Sequence, residues 1–159
     1  MARGRLIVAA RRSPKLADEP HGDGTFLDAV LEPHRCYYPA LKGVFERGLA
    51  TGVAHITGGG IRENLDRILP VDLDASVDLS TYRIPSVFER IRRAAGLPDT
   101  DMLRTFNLGV GLTLVCRPHD VAAVLAHLQK LGEEAYVIGE IVAGSGKVAC
   151  HGALSFLPA

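Results

Sequence analysis

Three consecutive glycines, Gly58, Gly59 and Gly60, join a short apolar run to a helical pattern, and no other segment constrains the fold as tightly. Val53, Ala54 and Ile56 read as the end of a buried strand, while Ile61, Leu65, Ile68 and Leu69 fall on one face of a helix. Pro70 stops that helix. Between strand and helix, glycines admit positive φ and let the backbone approach a ligand with no Cβ in the way. Amides turned inward by such a bend, with the unpaired N–H groups of a helix start, make an anion site for which phosphate is the natural guest. A plain flexible turn fits the glycines too. No Gly-Lys-Ser/Thr follows, so this is not a Walker loop, and contiguous glycines do not match the spaced dinucleotide fingerprint.

The wider segment reads His55-Ile56-Thr57-Gly58-Gly59-Gly60, then Glu63-Asn64, Arg67 and Leu69-Pro70. It resembles the signature of the phosphoribosylformylglycinamidine cyclo-ligase (aminoimidazole ribonucleotide synthetase) family. Leu31-Glu32-Pro33-His34-Arg35-Cys36-Tyr37 is similar to that family's Leu-x-Pro-x-Arg-x-Tyr segment, Thr105-Phe106-Asn107-Leu108-Gly109-Val110-Gly111 to its Thr-Phe-Asn-x-Gly-x-Gly segment, and residues 135–141 to its closing strand. The likeness covers roughly residues 20 to 151, with Asp66 where the family usually has proline and Leu112 where it has methionine.

The resemblance implies an α+β fold, a layered sandwich with a mixed sheet covered by helices and partial likeness to a ferredoxin fold. It implies ATP-dependent closure of formylglycinamidine ribonucleotide to aminoimidazole ribonucleotide in purine biosynthesis. There an amide oxygen becomes a leaving group by phosphorylation and an internal nitrogen attacks the same carbon. Thr57, Gly58, Gly59 and Gly60 are expected to bind a phosphate, with Arg67 adding charge. His55 is the catalytic candidate, for proton transfer or for stabilising the phosphoryl group. Glu63, Asn64 and Asn107 are substrate-site candidates. Equally, Glu63 and Asn64 fit as loop-fixing groups, Asn107 as a pin to the sheet, and His55 as a satisfied histidine at a strand end. Arg35 and Tyr37 are expected to bridge to the loop or to another half of the enzyme.

That other half carries the family's acidic and lysine groups for ATP and magnesium and is followed by a Ser-Gly-x-His-Ser-Asn-Gly segment; neither occurs in this sequence. The chain therefore reads as the C-terminal domain, cytoplasmic, inactive without an ATP-binding N-terminal half or homologous subunit; the family's dimer rests largely on that half, which leaves an apolar face exposed here and a homo-oligomer open. The alternative is a stand-alone module that binds a nucleotide or phosphate without catalysis.

Charge balance, with 18 basic and 18 acidic residues, supplies no field favouring nucleic acid or membrane. A hydrophobic content of 47% argues against disorder, and no apolar run approaches the ~20 residues of a membrane span. Residues 1–20 are set apart as a basic, frayed or helical remnant; their apolar run is too short for a secretory signal, and residues 21–159 form the domain. Cys36, Cys116 and Cys150 show no paired spacing and read as reduced, buried thiols. The histidines have no metal-ligand spacing, so no metal site is expected.

About five strands and four helices are expected. A helix starts near Thr25, and another spans residues 39–47 with Leu41, Val44 and Phe45 inward and Gly48 as its cap. Residues 71–79 alternate as a strand that places Asp72, Asp74 and Asp78 on a solvated face. Ser86 and Glu89 spell a capping box for a helix ending at Gly96, with Arg90, Arg92 and Arg93 on a solvated face. Residues 106–116 read as one strand. Asp120 caps a helix with Val121, Val124, Leu125, Leu128 and Leu131 inward, and residues 136–142 and 147–151 read as a hairpin about Gly144-Ser145-Gly146.

Overall fold

Thr25 accepts a hydrogen bond from the Asp28 amide while the Asp28 carboxylate takes the Thr25 amide, and this capping box starts helix α1, Phe26–Leu31. The computed structural model describes Ala9 and residues 11–158, so residues 1–8 and 10 of the N-terminal remnant lie outside the described residues, while its Ala9 and Leu16 are buried in the main core and Arg12 donates to the Ala95 carbonyl at 2.6 Å. Two short strands, β1 (Pro20–His21) and β2 (Gly24–Thr25), form a small antiparallel hairpin before α1. Helix α2, Tyr38–Glu46, ends at Gly48 with φ +62°, as the sequence suggested. Its Leu41 and Val44 are buried, but Phe45 is 47% exposed and faces outward.

Strand β3 (Gly52–His55) leads through the glycines into α3 (Gly60–Leu65), which tightens into a 3-10 turn over Asp66–Ile68 before Pro70. Strand β4 is Leu73–Asp78, and α4 is Ser86–Ala95. Helix α5, Asp99–Thr105, was not foreseen: seven residues led by Asp-Thr-Asp carry too little apolar periodicity to stand out. Strand β5 (Leu112–Val115), helix α6 (Val121–Lys130) and strands β6 (Gly139–Ala143) and β7 (Val148–His151) complete the order.

The architecture is α+β, with seven strands and six α-helices among the described residues. Three sheets form: β1 with β2, β3 with β5 antiparallel, and a mixed sheet in the order β6-β4-β7. In the mixed sheet β6 runs antiparallel and β7 parallel to β4. The expected β6–β7 hairpin is therefore corrected, since the two strands flank β4 and do not touch. The Asp74 carboxylate decides this by accepting the Ser145 and Lys147 amides, each at 2.7 Å, which carries the connection around the start of β4.

Alternation along β4 sends Ala75 and Val77 into the core. The aspartates on its other face are only partly the solvated set expected, because Asp74 holds the β6–β7 turn and Asp78 caps the Ser80 amide at 2.9 Å. Both carboxyls sit below the ordinary carboxylate range, Asp74 through its backbone donors and Asp78 through the Ser80 hydroxyl and amide.

The predicted strand over 106–116 is shorter than expected. Its first half is a loop in which Leu108 and Gly109 take φ +51° and +91°. Neither helix cap read from Ser86 or Asp120 forms a side-chain cap bond. Ser86 turns its hydroxyl to His21 at 3.4 Å, and Asp120 meets Arg117 and His119. The α4 arginines do more than face water: Arg90 reaches Glu19 and the Phe26 ring, Arg92 reaches Asp99 and Phe156, and Arg93 pairs with Glu89. Leu131 is 52% exposed and lies outside the α6 apolar face. Of the three free thiols, Cys36 is exposed and the other two half-buried, against the expectation of burial.

Two apolar clusters flank the β3–β5 pair. The larger gathers Ala54, Ile56, Ile61, Ala75, Val77, Ile91, Met102 and Leu108, and the smaller packs Ala40 and Val44 of α2 on Val124 and Leu128 of α6. Along β5 the sides alternate, with Val115 packed on the larger cluster and Leu114 on the smaller. The glycine turn therefore projects from a strand held on both faces.

Candidate functional site

The turn after β3 is fixed by one buried side chain. Asn64, one turn into α3, donates its amide to the carbonyls of Gly60 (2.8 Å), Gly58 (3.3 Å) and Thr57 (3.5 Å). Its oxygen accepts from the Thr57 hydroxyl at 3.4 Å and from Arg67 at 3.3 Å. Side-chain bonds of this kind order a turn that has no ladder of its own. With three carbonyls drawn toward Asn64, the N–H groups of Gly58 and Gly59 have no acceptor among the described residues, whereas the Gly60 amide donates to the Thr57 carbonyl at 3.1 Å. Helix α3 has only six residues and adds little dipole, so any attraction for an anion rests on the two free amides.

The three glycines answer to different constraints. Gly58 is exposed, with nothing within 4 Å of where a Cβ would stand. Gly59 takes φ +100°, and a Cβ there would strike the Glu63 carboxylate, which lies over it. Gly60 takes φ +62°, and its Cβ would overlap the Leu103 carbonyl at the end of α5. Close helix packing, rather than a ligand, requires that third glycine.

His55, exposed at the end of β3, meets His34, with the two Nε2 atoms 2.9 Å apart. Tyr37 turns an edge to both imidazoles, its ring centroid 5.9 Å from that of His34 and 6.0 Å from that of His55. The Tyr37 hydroxyl fills the space a Gly111 Cβ would need, and burial raises that phenol above its ordinary value. Arg35, in the same segment, pairs with Glu133 at 2.6 Å.

The structure thus brings together His55, Thr57, Gly58, Gly59, Gly60, Glu63, Asn64 and Arg67 around one turn. Asn64 is directed into the turn and Arg67 onto Asn64, which favours the loop-fixing alternative for Asn64. Asn107 accepts from the Gly109 amide at 3.3 Å and shapes its own loop. His34 was not singled out from the sequence, and nothing local signals it, since its partner lies 21 residues away.

A family model described as "AIR synthase related protein, C-terminal domain" matches residues 5–151. The chain belongs to this family. A phosphoribosylformylglycinamidine cyclo-ligase of Brevibacillus brevis is 38% identical over 149 residues, covering 93% of this chain and 43% of the relative. Bifunctional purine biosynthetic proteins of Pichia angusta and Schizosaccharomyces pombe are 40% and 38% identical over 74% and 78% of the chain, which spans 15% and 16% of their lengths. The chain thus spans less than half the length of each of these relatives.

Within this family domain a second feature stands out, a cleft of about 770 Å³ between residues 109–116 on one side and 133–141 on the other. Ala40, Leu41, Val124 and Leu128 supply apolar walls, while Arg35–Glu133 and Arg83–Glu134 ion pairs stand at its rim. It does not include the glycine turn. Among the described residues no three His, Cys, Asp or Glu side chains converge to hold a metal ion.

Proposed function

We propose that this chain is the C-terminal, phosphate-binding part of an ATP-dependent cyclo-ligase that closes formylglycinamidine ribonucleotide to aminoimidazole ribonucleotide. The observation that carries the reading is that the amides of Gly58 and Gly59 have no acceptor among the described residues, while Asn64 takes the neighbouring carbonyls. Identity of 38% with a cyclo-ligase across 93% of the chain supplies the reaction. Thr57 and the two amides hold phosphate oxygens, Arg67 and Asn64 keep the turn in shape, and His55 moves a proton or steadies the phosphoryl group. Glu63 lies over Gly59, so its carboxylate swings aside when an anion reaches the Gly59 amide. Asn107 shapes the adjoining loop.

ATP and magnesium accompany this reading. When bound, ATP supplies the phosphoryl group that turns the amide oxygen into a leaving group. The donors at the glycine turn suit phosphate oxygens, and among the described residues no cluster of His, Cys, Asp or Glu gathers for a divalent cation. A polypeptide carrying the ATP-handling groups, or a second subunit, completes the cleft, and exposed Leu27, Leu31, Tyr38 and Phe45 offer apolar surface for it. The cytoplasm is the compartment proposed.

Titrating the ¹⁵N-labelled chain with inorganic phosphate should move the Gly58 and Gly59 amide resonances ahead of all others. Unmoved glycine amides at saturating phosphate defeat the loop assignment. Turnover of substrate and ATP is expected only after an ATP-binding half is added. No turnover on that addition, with phosphate still bound, favours the stand-alone binding module.

A further inference from the structure

We infer that His34 and His55 work as one hydrogen-bonded pair, in which His34 is the positioning residue that leaves Nδ1 as the working nitrogen of His55 and gives its proton an outlet. The outlet rests on the proton-transfer reading of His55 above; the pairing does not.

A neutral imidazole carries one N–H. Two neutral rings with Nε2 atoms 2.9 Å apart share a hydrogen bond when one is protonated on Nε2 and the other on Nδ1, so they then hold opposite tautomers. Both Nε2 atoms are then engaged, and each ring presents only Nδ1 to its surroundings. Among the described residues neither ring has another hydrogen-bond partner.

The arrangement is held from three sides. The β3–β5 ladder fixes the backbone of His55 opposite Leu112. Tyr37 lies edge-on to both rings and is itself seated on Gly111. Arg35, next to His34, is tied to Glu133. Nearby charges are already engaged or turned elsewhere: Arg67 lies on the Asn64 oxygen, Glu63 covers Gly59, and β5 opposite His55 has no ionisable side chain from Leu112 to Val115. His34 stands at an unspecified position of the Leu-x-Pro-x-Arg-x-Tyr segment, so the family resemblance assigns it no role.

Such a pair can pass a proton with full balance. Starting with His55 protonated on Nε2, its Nδ1 takes a proton from the substrate nitrogen that closes the ring. The Nε2 proton of His55 crosses to Nε2 of His34, whose Nδ1 proton leaves to water at the exposed side. Both rings end neutral, with their tautomers exchanged.

The test uses the 159-residue chain labelled with ¹⁵N at histidine. Scalar coupling between the two Nε2 nuclei across the hydrogen bond is expected, with ring nitrogen shifts reporting opposite tautomers. His34→Phe should abolish the coupling and return His55 to the tautomer mixture of a free imidazole, a change that a merely space-filling His34 would not produce. Uncoupled Nε2 nuclei, or the same tautomer on both rings, overturn the pairing. Phosphate titration of the same samples should move the Gly58 and Gly59 amides equally in wild type and variant. A silent loop with an intact coupling condemns the phosphate assignment and not the pair; a responsive loop without coupling does the reverse. With an ATP-binding half added, His34→Ala should lower kcat about tenfold at unchanged KM, and added imidazole, which fits the space the variant opens, should restore it. An unchanged kcat overturns the outlet.

Discussion

Gly58 and Gly60 are two positions apart, and substitution separates what each is for. Alanine at Gly60 would force a side chain into φ +62° and drive its Cβ into the Leu103 carbonyl, so Gly60→Ala is expected to destabilise by about 3 kcal/mol or more. Alanine at Gly58 meets open space, and Gly58→Ala should stay within about 0.5 kcal/mol of wild type in urea denaturation. Equal losses in the two variants would contradict the assignment of Gly60 to helix packing. Asn64 was legible as a residue near the turn, but its orientation was not. Whether its amide faces a ligand or the loop depends on where three carbonyls point, and those torsions are set by the approach of α3 to α5.

Among the elements, the β6–β7 connection shows how one carboxylate redirects a chain. Glycine and serine between two alternating runs spell a hairpin, yet Asp74 offers two amides of that turn a better acceptor, and β7 joins the far side of β4. Those amides hold the Asp74 carboxyl below its ordinary value of 3.8. A carboxyl depressed in the folded state stabilises above its unfolded value, and that stability is lost as pH falls through the lower folded value. Wild type should therefore unfold at a higher temperature than Asp74→Ala from neutral pH down to about 5, and the gap should close in stronger acid. A gap that persists unchanged at the acid end would mean that the ionised carboxylate is not what holds the turn. Helices α1 and α2 were legible because their caps, Thr25 with Asp28 and Gly48, are local. Helix α5 was not, since seven residues carry too little apolar periodicity, and neither was the late start of β5, which depends on Leu108 and Gly109 taking positive φ with Gly109 packed beside Arg83 and Pro85.

Across the whole molecule, the β3–β5 pair and the β6-β4-β7 sheet stand apart, with the 770 Å³ cleft between residues 109–116 and 133–141. Two ion pairs tie the 133–134 stretch across it, Arg35 to Glu133 and Arg83 to Glu134. Both are solvent-facing, and such pairs stabilise little. Replacing both glutamates by glutamine should cost no more than about 1 kcal/mol in global stability while speeding amide exchange over residues 133–138. Unchanged exchange there would show that apolar packing alone holds the segment.

The sequence by itself determined the α+β class, the order of the main elements, the position of the glycine turn and the family, because all of these are written in local periodicity, capping residues and contiguous motifs. Only the tertiary structure decided which amides the turn leaves free, that Asn64 faces inward, that β7 lies parallel to β4, and that His34 meets His55. Each of those rests on a contact between segments distant along the chain or on a backbone torsion fixed by packing, and neither kind of information has a period that a linear reading can detect.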